Sequence, residues 1–161
     1  QSVVLFQETL GLLISADALW HSGLGVLFPE LGGEEGFKDA RSTVEMLATL
    51  PVHWVIPGHG AAFGDISGAI ERARTRIARF CDDPVHHAKH AAKVLLKFHL
   101  LEIQHESRRS LFLWARTTPY LAKIHATHFA AMDFDEWCQM LVGELARTGA
   151  VRLEGDFVLN T

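Results

Sequence analysis

The sequence predicts two segments of different class: an α/β unit over residues 1–83, then a nearly all-helical module over residues 84–161 that closes on a small hairpin. Three observations predict it. Up to residue 80, short β-branched and Leu-rich runs alternate with amphipathic helical stripes, the order expected of an α/β layer. From Pro84 onward the pattern is nearly all helix. The charge changes with it, from six basic against eleven acidic residues through residue 83 to nine against eight beyond it.

The elements follow in order. Val3 to Phe6 and Gly11 to Ser15 are apolar runs separated by Gln7, Glu8 and Thr9, and predict a hairpin or two adjacent buried strands. Residues 18–33 read as a long loop in which glycines alternate with Trp20, Leu24, Leu27 and Phe28, and a loop of that length inside a domain points to function. Phe37, Ala40, Val44 and Leu47 recur at helical spacing before Pro51. His53 to Ile56 predicts a strand, closed by Pro57, Gly58, His59 and Gly60. Ile66, Ile70, Ala73, Ile77 and Phe80 form the stripe of a helix whose other face carries Arg72, Arg74, Arg76 and Arg79, read as a solvated face.

Pro84 suits a helix start, and Val85 to Ile103 predicts a helix with an apolar face through Ala91, Val94, Leu95, Phe98 and Leu101. Thr118 and Pro119 open a further helix with Leu121, Ile124 and His128 on one side. Asp133 or Asp135 caps the next, which buries Phe134, Trp137, Leu141 and Leu145 and stops at Gly149. Residues 151–159 read as a tight hairpin, so the module is expected to be winged-helix-like with a two-stranded wing.

Composition narrows the function. The chain has 161 residues, 48% of them hydrophobic, enough for a packed core, and no window is apolar enough to span a membrane. A formal charge of −4 argues against a surface built throughout for nucleic acid. Two isolated cysteines, Cys81 and Cys138, offer no disulfide framework, which fits a reducing cytoplasm. Both are read as half-buried small apolar residues, with no thiol nucleophile implied. The first residue is Gln1 and the opening segment lacks the features of a secretory leader, so a piece of a longer chain is expected.

The chemistry concentrates at two strand ends. Asp17 follows the run ending at Ser15, and His59 follows the strand ending at Ile56, between two glycines that let the chain bend and leave room beside the imidazole. Ligands in α/β proteins gather outside the carboxyl ends of strands. A carboxylate with a neutral imidazole is a usual partial ligand set for zinc or iron.

The stretch Leu12-Leu13-Ile14-Ser15-Ala16-Asp17-Ala18-Leu19-Trp20 and the stretch Val55-Ile56-Pro57-Gly58-His59-Gly60 resemble the later metal-binding motifs of metallo-β-lactamase-fold hydrolases. The resemblance implies the C-terminal half of an αββα sandwich over residues 1–83, with a helical, winged-helix-like C-terminal domain. It implies two divalent metal ions in the complete enzyme, zinc with iron or manganese as alternatives. Asp17 then corresponds to the bridging carboxylate and His59 to a ligand of the second metal. Trp20 and Phe28 are expected to line the substrate, a small molecule carrying an ester, thioester, phosphoester or lactam. The earlier signature His-x-His-x-Asp-His does not occur in these residues, and the Gly usual before the bridging acid is Ala16. The ligand set is therefore incomplete, no catalytic residue is assigned, and the chain alone is not expected to be active. Its sheet is expected to need a covering partner, either an N-terminal half or a second copy in a homodimer.

The remaining polar clusters read as ordinary surface. His86 with His90, and His125 with His128, lie one turn apart but are better taken as solvated or interface positions. The alternative function is a nucleic-acid- or protein-binding winged module on a non-catalytic α/β platform, using Arg108, Arg109, Arg116, Lys123, Arg147 and Arg152.

Overall fold

A computed structural model of the chain describes residues 3–25, 27 and 35–161. These form two compact units, Gln1–Asp83 and Pro84–Thr161, and the secondary structure is mixed α and β.

In the first unit β1 (Leu5–Gln7) runs antiparallel to β2 (Leu12–Ala16), and β2 runs parallel to β3 (Trp54–Pro57). Between the first two strands Gly11 takes a left-handed φ of 57°, and a Cβ there would lie 2.5 Å from the His53 ring, so the turn requires glycine. The parallel pair is joined through α1 (Glu35–Ala48), and α2 (Ile66–Asp82) follows β3. Leu13 and Val55 face inward from the sheet, fully buried with Val44 and Leu47 of α1 and Ala69, Ala73 and Ile77 of α2. The alternate positions face the other way. Register places Leu5, Ile14 and Ile56 in one cross-strand row, and Leu12 beside Trp54 in the next. Leu5, Ile14, Trp54 and Ile56 all remain exposed. The sheet is therefore apolar on both faces and covered by helices on one.

The second unit consists of α3 (Pro84–Ile103), β4 (His105–Ser107), α4 (Arg108–Thr117), α5 (Pro119–His128), α6 (Phe134–Arg147), β5 (Val151–Glu154) and β6 (Phe157–Asn160). α3 packs on α5, α6 and β6, and α4 packs on α5, α6 and β4. Asp133 caps α6 by accepting from the Asp135 and Glu136 N–H groups, and Gly149 ends it at a φ of 76°. The hairpin expected at residues 151–159 belongs to a three-stranded antiparallel sheet of order β4-β6-β5, because His105 to Ser107 adds an edge strand beside β6. Three polar or charged residues in a row give no apolar alternation, so this strand carries no sequence signal.

The apolar face of α3 also differs from its expected phase. Ala88, Ala91, Ala92, Leu96 and Leu100 are fully buried, whereas Phe98 and Leu101 are about half exposed. The helix is apolar on so much of its circumference that periodicity leaves its rotation open. Lys89 and Lys93 fix it by converging on Glu144 of α6 at 3.0 and 2.9 Å, and Lys97 donates to the Ala150 carbonyl at 2.7 Å. His128, expected beside Leu121 and Ile124, is only partly covered while those two are buried. Among the described residues no helix is long and apolar enough to cross a membrane.

Candidate metal-binding rim of the first unit

Asp17 and His59 meet at one end of the parallel pair. β2 ends at Ala16 and β3 at Pro57, so the next turns project both side chains from the carboxyl edge of the sheet. The strand end is sharply bent. Ala16 adopts a φ of 46°, a region costly for a residue with a Cβ, and its carbonyl accepts from the Gly58 N–H at 2.8 Å. That bond ties one turn to the other. Ser15, fully buried, donates its hydroxyl to the Leu19 carbonyl at 2.6 Å and shapes the turn on the far side of Asp17.

The imidazole Nε2 of His59 lies 3.8 Å from Asp17 Oδ1, with the side chains 73% and 61% exposed. This is too long for a hydrogen bond and short enough for both atoms to face one small cation. Gly58 makes the approach workable: a Cβ there would sit 3.0 Å from Asp17 Oδ1 and 3.1 Å from the Ala16 carbonyl carbon. The loop bearing His59 is closed behind it by Val55 and Phe63, which exchange backbone hydrogen bonds of 2.8 and 3.0 Å.

Trp20 reaches the same rim. Its indole meets the His59 ring edge to face, with centroids 5.2 Å apart and planes at 76°, and the indole N–H is buried without a hydrogen-bond partner among the described residues. Trp20 thus backs His59. Phe28, the other residue expected at the substrate wall, lies outside the described residues.

Sequence reading missed the support beneath Trp20. Arg72, taken as part of a solvated face, donates from Nε to the His21 carbonyl at 2.7 Å and from Nη2 to Asp65 at 2.9 Å. Arg76 donates to the Leu24 carbonyl. Their spacing of four along α2, flanking the buried Ala69, Ala73 and Ile77, was the available signal. Arg74 pairs with Glu45 of α1 through two bonds of 2.8 and 2.5 Å. The Arg72 hydrogen bond, with the Gly68 N–H behind it, holds the Asp65 carboxyl below its ordinary range.

As a metal site the rim is partial. Among the described residues no group of three or more His, Cys, Asp or Glu side chains is arranged to hold an ion. Asp17 and His59 fit a divalent cation by chemistry and spacing, but a stable site needs three or four donors. Cys81 is exposed, contrary to its expected half-burial, and Cys138 is fully buried, its thiol pushed up to about 12 by burial.

No family model and no curated protein matches the chain. Among solved structures, a metallo-β-lactamase family protein from Thermus thermophilus is similar at 18% identity and a TM-score of 0.35, over 98% of this chain and 44% of that one. The chain therefore spans less than half the length of that protein, and a TM-score this low carries no weight for fold or function.

Proposed function

We propose that the chain is part of a metal-dependent hydrolase of the metallo-β-lactamase superfamily, with Asp17 and His59 as two of its metal donors. The observation carrying this reading is the convergence of a carboxylate and an imidazole, from the ends of two parallel strands, to 3.8 Å on an open rim. The missing donors would come from residues beyond this chain, in an N-terminal half, or from a second copy. The exposed apolar row of Leu5, Ile14 and Ile56, with Trp54 beside it, supports a covering layer of that kind.

A divalent cation held there, zinc or alternatively iron or manganese, supplies Lewis acidity toward water and toward the developing anion of an ester, thioester, phosphoester or lactam. This chain's share is positional. Asp17 offers an anionic oxygen placed by the bend at Ala16, His59 a nitrogen on the turn that Gly58 anchors to Ala16, backed by Trp20, and Trp20 with Phe28 an apolar wall for substrate. The chain by itself is expected to be inactive.

The second unit supports a winged-helix-like module through its element order and its β4-β6-β5 sheet. Its cations do not favour nucleic acid as the partner. Arg116 pairs with Asp135 at 2.8 Å, Arg152 with Glu154 at 2.7 Å, and Arg108 donates to the Gly155 carbonyl at 2.8 Å. Asp135 and Asp156 also line the groove shared by Arg108, Arg109 and Arg116, cancelling much of its positive field.

Metal analysis of the longest obtainable polypeptide tests the reading. Asp17→Ala and His59→Ala should each lower bound zinc, iron or manganese and the hydrolase activity that depends on it. Metal content unchanged in both variants would remove the proposal.

A further inference from the structure

We infer that Arg72 and Arg76 are positioning residues for the Asp17 and His59 pair, acting through the rim segment that carries Trp20. This rests on the metal-rim reading above and adds the part of the chain that sets the spacing.

The contacts form a continuous path from helix to imidazole. Asp65 caps α2 by accepting from the Gly68 N–H at 3.1 Å, and the same carboxylate holds Arg72 Nη2. The guanidinium thus has a fixed post from which Nε reaches the His21 carbonyl. Four residues along the same helix, Arg76 holds the Leu24 carbonyl. Between these anchors Gly23 takes a φ of 110° and lies so close to α2 that a Cβ there would be 3.1 Å from the Ala73 nitrogen. Trp20 and Gly23 exchange backbone hydrogen bonds of 2.6 and 2.9 Å, which transmits the anchoring to the tryptophan.

Gly25 packs closely on the indole, since a Cβ there would come within 2.9 Å of the ring. The indole in turn meets the exposed His59 ring edge to face. An imidazole on an exposed turn otherwise samples several rotamers, and capture by a cation must overcome that freedom. Charged donors on two loop carbonyls are well suited to remove it, because such bonds are shorter and stronger than neutral ones. The sequence thereby assigns half of its α2 arginine set to the rim.

NMR of the whole 161-residue chain tests this, with Mn2+ as the probe. The unaltered chain should show an NOE between the Trp20 indole and the His59 ring, and Mn2+ should broaden the Asp17 and His59 amides. Arg72→Ala with Arg76→Ala should lose the NOE and require about tenfold more Mn2+ for equal broadening, while the Leu13 and Val55 methyl signals stay in place. Arg76→Lys, which keeps one charged donor for Leu24, should retain both signals within roughly twofold, a rescue that tracks the donor and separates positioning from a general loss of stability. An intact NOE and unchanged Mn2+ response in the double variant would overturn the inference. Should that variant not fold, Arg72→Lys is judged by the same criteria, since an ammonium cannot replace a fork serving His21 and Asp65 at once. Failure of the metal reading looks different: broadening at the rim by excess Mn2+ that is unaffected by Asp17→Asn and His59→Gln. The NOE then decides the role of the arginines alone.

Discussion

Ala16 illustrates how one backbone angle sets a site. Its φ of 46° turns the chain out of β2 so that Asp17 leaves the sheet edge toward His59. A residue with a Cβ pays on the order of 1–2 kcal/mol for that conformation. Glycine elsewhere in a strand is usually destabilising, but here relief of the left-handed penalty opposes the greater freedom of the unfolded glycine. Ala16→Gly is accordingly expected to leave stability unchanged or raise it by about 0.5 kcal/mol. Urea denaturation checks this, and a loss of about 1 kcal/mol, the ordinary cost of glycine in a strand, would show that the bend carries no strain.

At the scale of elements, Glu144 on α6 holds α3 in phase by receiving Lys93 and Lys89. The Lys93 hydrogen bond, with Lys89 behind it, keeps the Glu144 carboxyl below its ordinary 4.5 despite partial burial. A lowered folded value means that this stabilisation is present above the unfolded value and disappears as pH falls through the folded one. Glu144→Gln is expected to cost about 1–2 kcal/mol at neutral pH. The difference from the unaltered protein should close in urea titrations carried into the acid range below that folded value, and a gap independent of pH would refute the assignment. The elements themselves were largely legible in the sequence. Strong stripes such as Ile66 to Phe80 and Phe134 to Leu145, with Pro119, Asp133 and Gly149 as punctuation, locate their helices because burial, capping and propensity agree. The phase of α3 and the strand at His105 were not legible, because both depend on tertiary partners: two lysines finding one glutamate, and a polar segment finding the edge of β6. Asp17 and His59 were legible as strand-end residues. Arg72 and Arg76 were legible only as a pair spaced by four, because the acceptors that tie them to the rim are main-chain carbonyls, which no residue type announces.

Across the molecule, the sheet face left exposed among the described residues is the feature expected to act on behaviour in solution. Leu5, Ile14, Trp54 and Ile56 lie 62%, 44%, 56% and 42% exposed on adjacent strands, a contiguous apolar surface of the kind that drives association. Sedimentation velocity on this chain should show mass increasing with concentration. Ile14→Lys with Trp54→Lys should abolish that increase while shifting stability by no more than about 0.5 kcal/mol per position. Concentration-dependent mass persisting in the lysine variant would place the association elsewhere. The parallel pairing of β2 with β3 has a kinetic consequence as well. Neither strand end approaches the other until a long intervening segment has closed on itself, and non-local closures of this type are among the slower steps a chain takes toward its native state. Asp17 and His59 stand at the two ends of that closure, so a spectroscopic label read at this rim would time the late topological event of refolding, separately from the earlier appearance of helix.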